Sequence, residues 1–154
     1  MTGPAEDHAA FLERVRDSGI RIDREGQLWH QGHTIDHAGL RAALFRWLDR
    51  NPDGRYVFRL DAQRFANVEV ADTPLVARAA RWDGDGLRVA LSDGNEERLD
   101  PGTLTVDGDG VLRCRVRGGR LEARLSTSAA AVVAERIVGD RLRIEGRLLA
   151  IAAR

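Results

Sequence analysis

Apolar positions along this chain switch between a helical period near 3.6 and a strand period of 2, and the switches place the elements. Between Pro4 and Asp17, Phe11, Leu12 and Val15 share one stripe and Ser18-Gly19 supplies a stop, which predicts a short N-terminal helix. Ile20 to Asp23 and Gln27 to His30 flank Arg24-Glu25-Gly26, the polar, glycine-containing interval of a β-hairpin. Asp36 is placed to cap a helix running to about Arg50, with Leu40, Leu44, Trp47 and Leu48 on the apolar face and Arg41, Arg46 and Arg50 turned away. Asn51-Pro52-Asp53-Gly54 ends it. Arg55 to Leu60 and Phe65 to Val70 form the next strand pair, and Asp72-Thr73-Pro74 closes the segment.

The second half repeats the grammar. Leu75 to Trp82 and Leu87 to Leu91 flank Asp83-Gly84-Asp85-Gly86; Leu104 to Val106 and Val111 to Val116 flank Asp107-Gly108-Asp109-Gly110; Leu121 to Leu125 follows Gly118-Gly119. Ser126 or Thr127 caps a helix through about Val138 that carries Ala130, Val133, Ala134 and Ile137, and Gly139 stops it. Arg141 to Glu145 and Arg147 to Ala153 make a last hairpin around Gly146. The expected fold is α+β: one compact domain over residues 1–154, with two tandem, structurally similar lobes at 20–74 and 75–154. Each lobe packs antiparallel strands on one helix. The best local trace of duplication aligns Ile22 to Leu28 with Val106 to Leu112, although Asp-x-x-Gly turns recur for geometric reasons alone.

Composition narrows the chemistry. At 154 residues the chain buries roughly two-thirds of its unfolded surface without needing a covalent staple. Every one of its 24 basic residues is arginine, set against 24 acids, so there is no net charge to drive nonspecific nucleic-acid binding. The lack of lysine removes the Schiff-base nucleophile and the phosphate-loop lysine. One cysteine, Cys114, excludes an internal disulfide and a cysteine-rich zinc site. No apolar run follows Met1 to His8, so neither a signal peptide nor a membrane span is expected and a reducing cytoplasm fits.

Four constellations bear on chemistry. His30, His33 and His37, with Asp36 beside them, offer imidazole and carboxylate ligands for a transition metal, the basis of a reading as a metal-dependent hydrolase. The plainer reading is three partly exposed histidines around a turn. Asp83-Gly-Asp-Gly and Asp107-Gly-Asp-Gly resemble fragments of calcium loops but lack the third ligand position and the closing glutamate, so they read as hairpin turns. Arg113, Arg115 and Arg117 alternate along one strand and share a face that Arg120 and Arg124 extend, a stripe suited to an anionic ligand or acidic partner. Glu122 on that side turns the stripe toward cross-strand ion pairing instead. Cys114 takes the inward face with Leu112 and Val116, as an inert buried thiol does. No nucleophile elbow, phosphate loop or dinucleotide fingerprint is present, and no cofactor is expected.

Taken together, Ile22-Asp23-x-x-Gly26-x-x-Trp29-His30-x-Gly32-x-x-Ile35, Asp53-Gly54-Arg55-Tyr56, Val68-Glu69-Val70-x-Asp72-Thr73-Pro74 and Val116-Arg117-Gly118-Gly119-x-Leu121-Glu122-Ala123-Arg124-Leu125 resemble a bacterial family. It is the uncharacterised domain of unknown function twelve eighty-five, DUF1285, and the resemblance runs from about Ile20 to Ile137. It implies an α+β fold of two tandem repeats and a role in signal transduction, with no established catalytic residues. Its motif positions here are Trp29, His30, Gly32, Arg55, Glu69, Asp72, Gly119, Glu122 and Arg124; His33 and His37 fall outside the pattern, as does the stretch after Gly139.

The leading functional expectation is a noncatalytic regulatory module. Trp29, His30, Arg55, Glu69, Asp72, Glu122 and Arg124 are its candidate binding residues, and His30, Arg55, Glu69 and Asp72 would line a groove between the lobes for a small ligand or partner segment. The hydrolase reading predicts bound metal. A homodimeric scaffold, the third reading, predicts an exposed strand edge used for pairing.

Overall fold

A computed structural model describes residues 16–154. The expected helix over Pro4 to Asp17 therefore lies almost wholly outside the described residues. Asp17 itself opens strand β1 (Asp17–Ile22), and Ser18-Gly19 forms a bulge within that strand. A glycine at positive φ, here 68°, suits such a bulge as well as the end of a helix.

The chain divides into two compact units, Met1–Asp72 and Thr73–Arg154. In the first, β1 is followed by β2 (Leu28–His30), β3 (His33–Thr34), helix α1 (Ala38–Trp47), β4 (Leu48–Arg50), β5 (Tyr56–Arg59) and β6 (Phe65–Val70). These strands form one sheet in the order β3-β2-β1-β6-β5-β4. Its central pair, β1 with β6, is parallel and the rest antiparallel, so the expectation of purely antiparallel lobes is corrected. Ile22, Leu28, Leu44, Phe45, Leu48, Val57, Phe58 and Val68 are buried.

The second unit contains β7 (Leu75–Asp83), β8 (Gly86–Leu91), β9 (Glu96–Arg98), a 3-10 turn (Pro101–Thr103), β10 (Thr105–Val106), β11 (Leu112–Val116), β12 (Leu121–Leu125), helix α2 (Thr127–Ala134), and β13 (Ile137–Val138), β14 (Arg141–Ile144), β15 (Arg147–Ala150) and β16 (Ala152–Ala153). Its main sheet runs β16-β10-β11-β12-β7-β8-β9, again with a parallel pair, β12 with β7, at the centre; β16 is also parallel to β10 at one edge, and the other pairs are antiparallel. Omitting β16, this is the strand order of the first unit advanced by six strands. The helices differ: α1 joins the two meanders of the first unit, whereas only the 3-10 turn stands there in the second and α2 follows the sheet. Strands β13, β14 and β15 form a small sheet of their own.

Both helices are shorter than their periodicity predicts. α1 is capped by His37, whose Nδ1 accepts from the Leu40 amide at 3.0 Å, and not by Asp36, whose carboxylate takes the Thr34 hydroxyl at 3.0 Å. Leu48 leaves the helix with ψ 127° and pairs opposite Phe58, so Leu48–Arg50 is a strand. Leu44 and Phe45 carry the packing, while Leu40 remains 46% exposed. α2 is capped by the Ser126 hydroxyl, which accepts from the Ala129 amide at 3.1 Å. It buries Ala129 and Val133, and the Trp82 indole donates to the Val132 carbonyl at 3.0 Å. Ile137 and Val138, expected in this helix, pair with Leu142 and Arg141 as β13.

One hairpin geometry recurs four times. The amides of Asp23, Asn51, Leu91 and Asp107 each donate to the carbonyl four residues on, and the glycine three residues on returns a bond to the first residue's carbonyl. Those glycines, Gly26, Gly54, Gly94 and Gly110, have φ of 82°, 91°, 88° and 82°. A side chain there would meet its own backbone. The two stretches with the sequence trace of duplication are thus two instances of this turn, and the Asp107 carboxylate is consumed by the amides of Asp109 and Val111 and by Arg113.

Candidate functional site

The bulge in β1 shapes the most suggestive surface. Asp17 stands opposite Asn67 and Arg21 opposite Glu69, so four steps along β1 match two along β6. The slack is held by short-range bonds: the Gly19 amide donates to Asp17 Oδ1 (2.9 Å), the Ile20 amide to Ser18 Oγ (3.1 Å), and Ser18 Oγ to the Asn67 carbonyl (2.6 Å). Such bulges bend a strand away from its neighbour and re-aim its side chains. The resulting hollow, about 580 Å³, is lined by Asp17 of β1, Gly54, Arg55 and Tyr56 at the start of β5, and Asn67 to Val70 of β6.

Two sequence-predicted residues meet there. The register that sets Val57 opposite Asn67, continued two positions back, puts Arg55 opposite Glu69 on the same face. Asp17, Tyr56 and Asn67 complete the site. Of these only Tyr56 carries a sequence signal, its place in the Asp53-Gly54-Arg55-Tyr56 block; Asp17 and Asn67 depend on a parallel pairing across fifty residues of chain.

The other candidates lie elsewhere. Trp29 is held by Asp23: its indole N–H donates to Asp23 Oδ2 at 2.7 Å, and the Arg21 guanidinium covers its ring at 4.8 Å. Burial pushes the Asp23 pKa up, but the Trp29 bond, the amides of Gln27 and Glu25 and the charge of Arg21 outweigh it and leave the carboxyl below its ordinary value. The Asp23-x-x-Gly-x-x-Trp pattern is therefore a turn with its own anchor. His30 pairs opposite Ile20 and its imidazole rests against Gly19, behind the bulge. Asp72 ends the first unit, half-buried, and does not line the hollow.

Glu122 and Arg124 belong to β12 of the second unit. Glu122 stands opposite Arg115 and accepts from Arg154 at 2.5 Å, and the Arg124 amide donates to Thr73 Oγ1 at 3.2 Å. The arginine stripe is similarly tethered, Arg113 to Asp107 at 3.2 Å and Arg117 to Asp93 at 2.7 Å. His30 and His33 pair across β2 and β3, but His37 is spent on its helix cap, and among the described residues no group of three or more His, Cys, Asp or Glu is arranged to hold a metal. The histidine cluster is thus not brought together.

Cys114 is buried, and desolvation, with smaller contributions from Glu97 and Glu122, pushes its thiol up to about 12. Its thiolate fraction at neutral pH falls roughly a thousandfold below that of an ordinary cysteine. Labelling by an aromatic disulfide at pH 7.5 is expected to run at least a hundredfold slower in native protein than in urea; comparable rates would contradict the burial.

Among the described residues no helix is long and apolar enough to cross a membrane. No family model matches the sequence, and no curated protein does. Two crystal structures share the fold. A DUF1285 family protein from Silicibacter pomeroyi DSS-3 superimposes with a TM-score of 0.71 at 19% identity, covering 88% of this chain and 80% of that one. A DUF1285 family protein from Shewanella baltica OS155 gives 0.64 at 18% identity, covering 78% and 93%. At this identity the likeness establishes the α+β fold, and the structural neighbours of this chain are proteins of the family its sequence motifs resemble.

Proposed function

We propose that this chain is a noncatalytic binding module of the bacterial cytoplasm, serving signal transduction, whose first unit holds a small polar ligand in the hollow beside the β1 bulge. The observation that carries the reading is the meeting of Arg55 and Glu69, two of the residues marked in the sequence, with Asp17, Tyr56 and Asn67 on one concave surface. Opposed charges, an amide and an aromatic ring on a rigid sheet are the parts of a recognition site. Among the described residues that line the hollow there is no serine, threonine, cysteine or histidine.

The shared strand order supports a further element of the reading, that the two units are tandem copies which have diverged. The turn at Asn51 to Gly54 and that at Asp107 to Gly110 occupy the same place in their sheets and make the same bonds. Where the first leads into Arg55 and Tyr56, the second leads into Val111 and Leu112, and β12 passes directly into α2. Binding chemistry is thereby confined to the first copy.

The test is a titration of isotope-labelled protein with free amino acids, dicarboxylates and diamines, followed by amide chemical shifts. Perturbations clustered at residues 54–56 and 67–70 are expected. Shifts absent at millimolar concentration, or confined to the second unit, would sink the proposal.

A further inference from the structure

The strand order that the two units share leaves β13, β14 and β15 over, and this small sheet carries a surface of another kind than the hollow. We infer that β15 is a docking edge for an extended acidic segment of a partner protein, which adds to the sheet as a fourth strand. Ile144 and Arg147 flank a two-residue turn, Glu145-Gly146, with both turn residues at positive φ, so they exchange both backbone bonds and alternate residues of β15 turn outward. The Arg143 amide, opposite Leu148, accordingly donates to the Arg136 carbonyl beside β13 at 2.9 Å. The N–H and C=O groups of Leu148 and Ala150 thus point away from β14, and neither residue makes a hydrogen bond among the described residues. Such an edge is ordinarily blunted by charge, proline or a covering element. Here it is apolar and exposed. Of the five large apolar side chains exposed among the described residues, Ile137, Val138 and Leu148 all lie in this one sheet, which marks it as a surface that another chain covers.

The solvated face of the sheet selects the partner's charge. Arg141 and Arg143 alternate along β14 on the side that carries Val138, Leu148 and Ala150, and neither guanidinium makes an ion pair among the described residues. Carboxylates gather at one end only: Glu145, in the turn, is held by Arg98 at 2.9 Å, while Asp85 and Glu135 line a hollow of about 370 Å³ beside Arg143. Arg141 lies outside that hollow. A residue added opposite Ala150 stands two strands, about 10 Å, from Arg141, a span that a glutamate and an arginine cover jointly above the small Ala150 methyl. Opposite Leu148 the added strand meets an apolar neighbour, so its residues on this face read acidic and apolar two positions apart. A second copy of this chain would instead gather Arg141 and Arg143 of both molecules on one face without an acid among them. A lipid surface would cover Leu148 but leave the polar groups of the edge without partners.

Titration of the full, isotope-labelled chain at low salt, followed by amide chemical shifts, tests the assignment. The probe is the acetylated peptide amide Thr-Glu-Thr-Val-Thr-Glu-Thr-Val-Thr, which presents glutamate and valine on one face, and its control carries lysine in place of glutamate. Shifts are expected at the Leu148 and Ala150 amides, with the glutamate peptide bound roughly tenfold more tightly than the control. Ala150→Pro removes an outward N–H and keeps every bond to β14, and Arg141→Glu reverses the charge without touching the backbone. Each is expected to weaken binding roughly tenfold with the amide spectrum of the rest of the chain preserved. Where Ala150→Pro disturbs the fold, Arg141→Glu and the lysine control still read the charge. Equal affinity for the two peptides overturns the acidic partner, and an unshifted β15 at millimolar peptide overturns the docking edge. A concentration-dependent dimer that Arg141→Glu strengthens would give the edge to a second copy, and co-sedimentation with phosphatidylglycerol vesicles without peptide binding would give the face to a membrane; either result overturns the proposal.

Discussion

Leu142→Ala is expected to destabilise the protein by about 2–5 kcal/mol, the cost of emptying a fully buried leucine site. Leu142 has 0% exposure and stands opposite Ile137 and Leu149 in the small C-terminal sheet, with Ile144 beside it at 1%. The opposite face is solvated: Leu148, opposite Arg143, is 48% exposed, and Leu148→Ala should stay within about 0.5 kcal/mol of wild type. Urea unfolding followed by circular dichroism and by tryptophan fluorescence measures both. A Leu142 variant as stable as the Leu148 variant would mean that the stretch after Gly139, where the sequence resemblance stops, is an appendage. The expected difference makes it part of the second unit's core.

The contrast between those two leucines also shows how far a sequence of this kind can be read. Alternation in Arg141-Leu142-Arg143-Ile144 names the buried face of β14 outright, because the period of a strand depends on nothing beyond itself. The Asp-x-x-Gly turns are legible for the same reason: donor, acceptor and positive-φ glycine all lie within five residues. Leu48 and Ile137 are different. Each continues a helical apolar repeat, but each pairs with a strand partner, Phe58 or Leu142, that the local pattern does not reveal. Tertiary pairing overrides propensity where a segment satisfies both periods.

The site divides along the same line. Arg55 follows a turn and Glu69 alternates with buried Val68 in a strand, so each stands out in the sequence, but their meeting with Asp17 rests on the parallel β1–β6 pair and on a bulge that reads as a helix stop. Long-range register leaves no local mark. Trp29 and His30 illustrate the converse, since a prominent motif there is explained by the turn it anchors and by the bulge it backs.

Asp23→Ala is therefore expected to cost about 2–3 kcal/mol, although Asp23 does not line the hollow beside the β1 bulge. Its carboxylate accepts from the Glu25 amide at 3.0 Å, the Gln27 amide at 2.9 Å and the Trp29 indole at 2.7 Å. Asp23→Asn keeps an oxygen for the two amides but turns a second N–H toward the indole, so it should lose about half as much and shift the tryptophan emission. The pH dependence separates charge from shape. The folded-state pKa of Asp23 lies below its ordinary 3.8, so its contribution is fully present above that value and is lost as pH falls through the folded value. The stability gap between wild type and Asp23→Asn should then be widest near pH 6 and close as pH drops below 3.8. A gap that stays constant from about pH 5 to pH 2.5 would show that the ionised carboxylate is not what holds Trp29 and the β1–β2 turn.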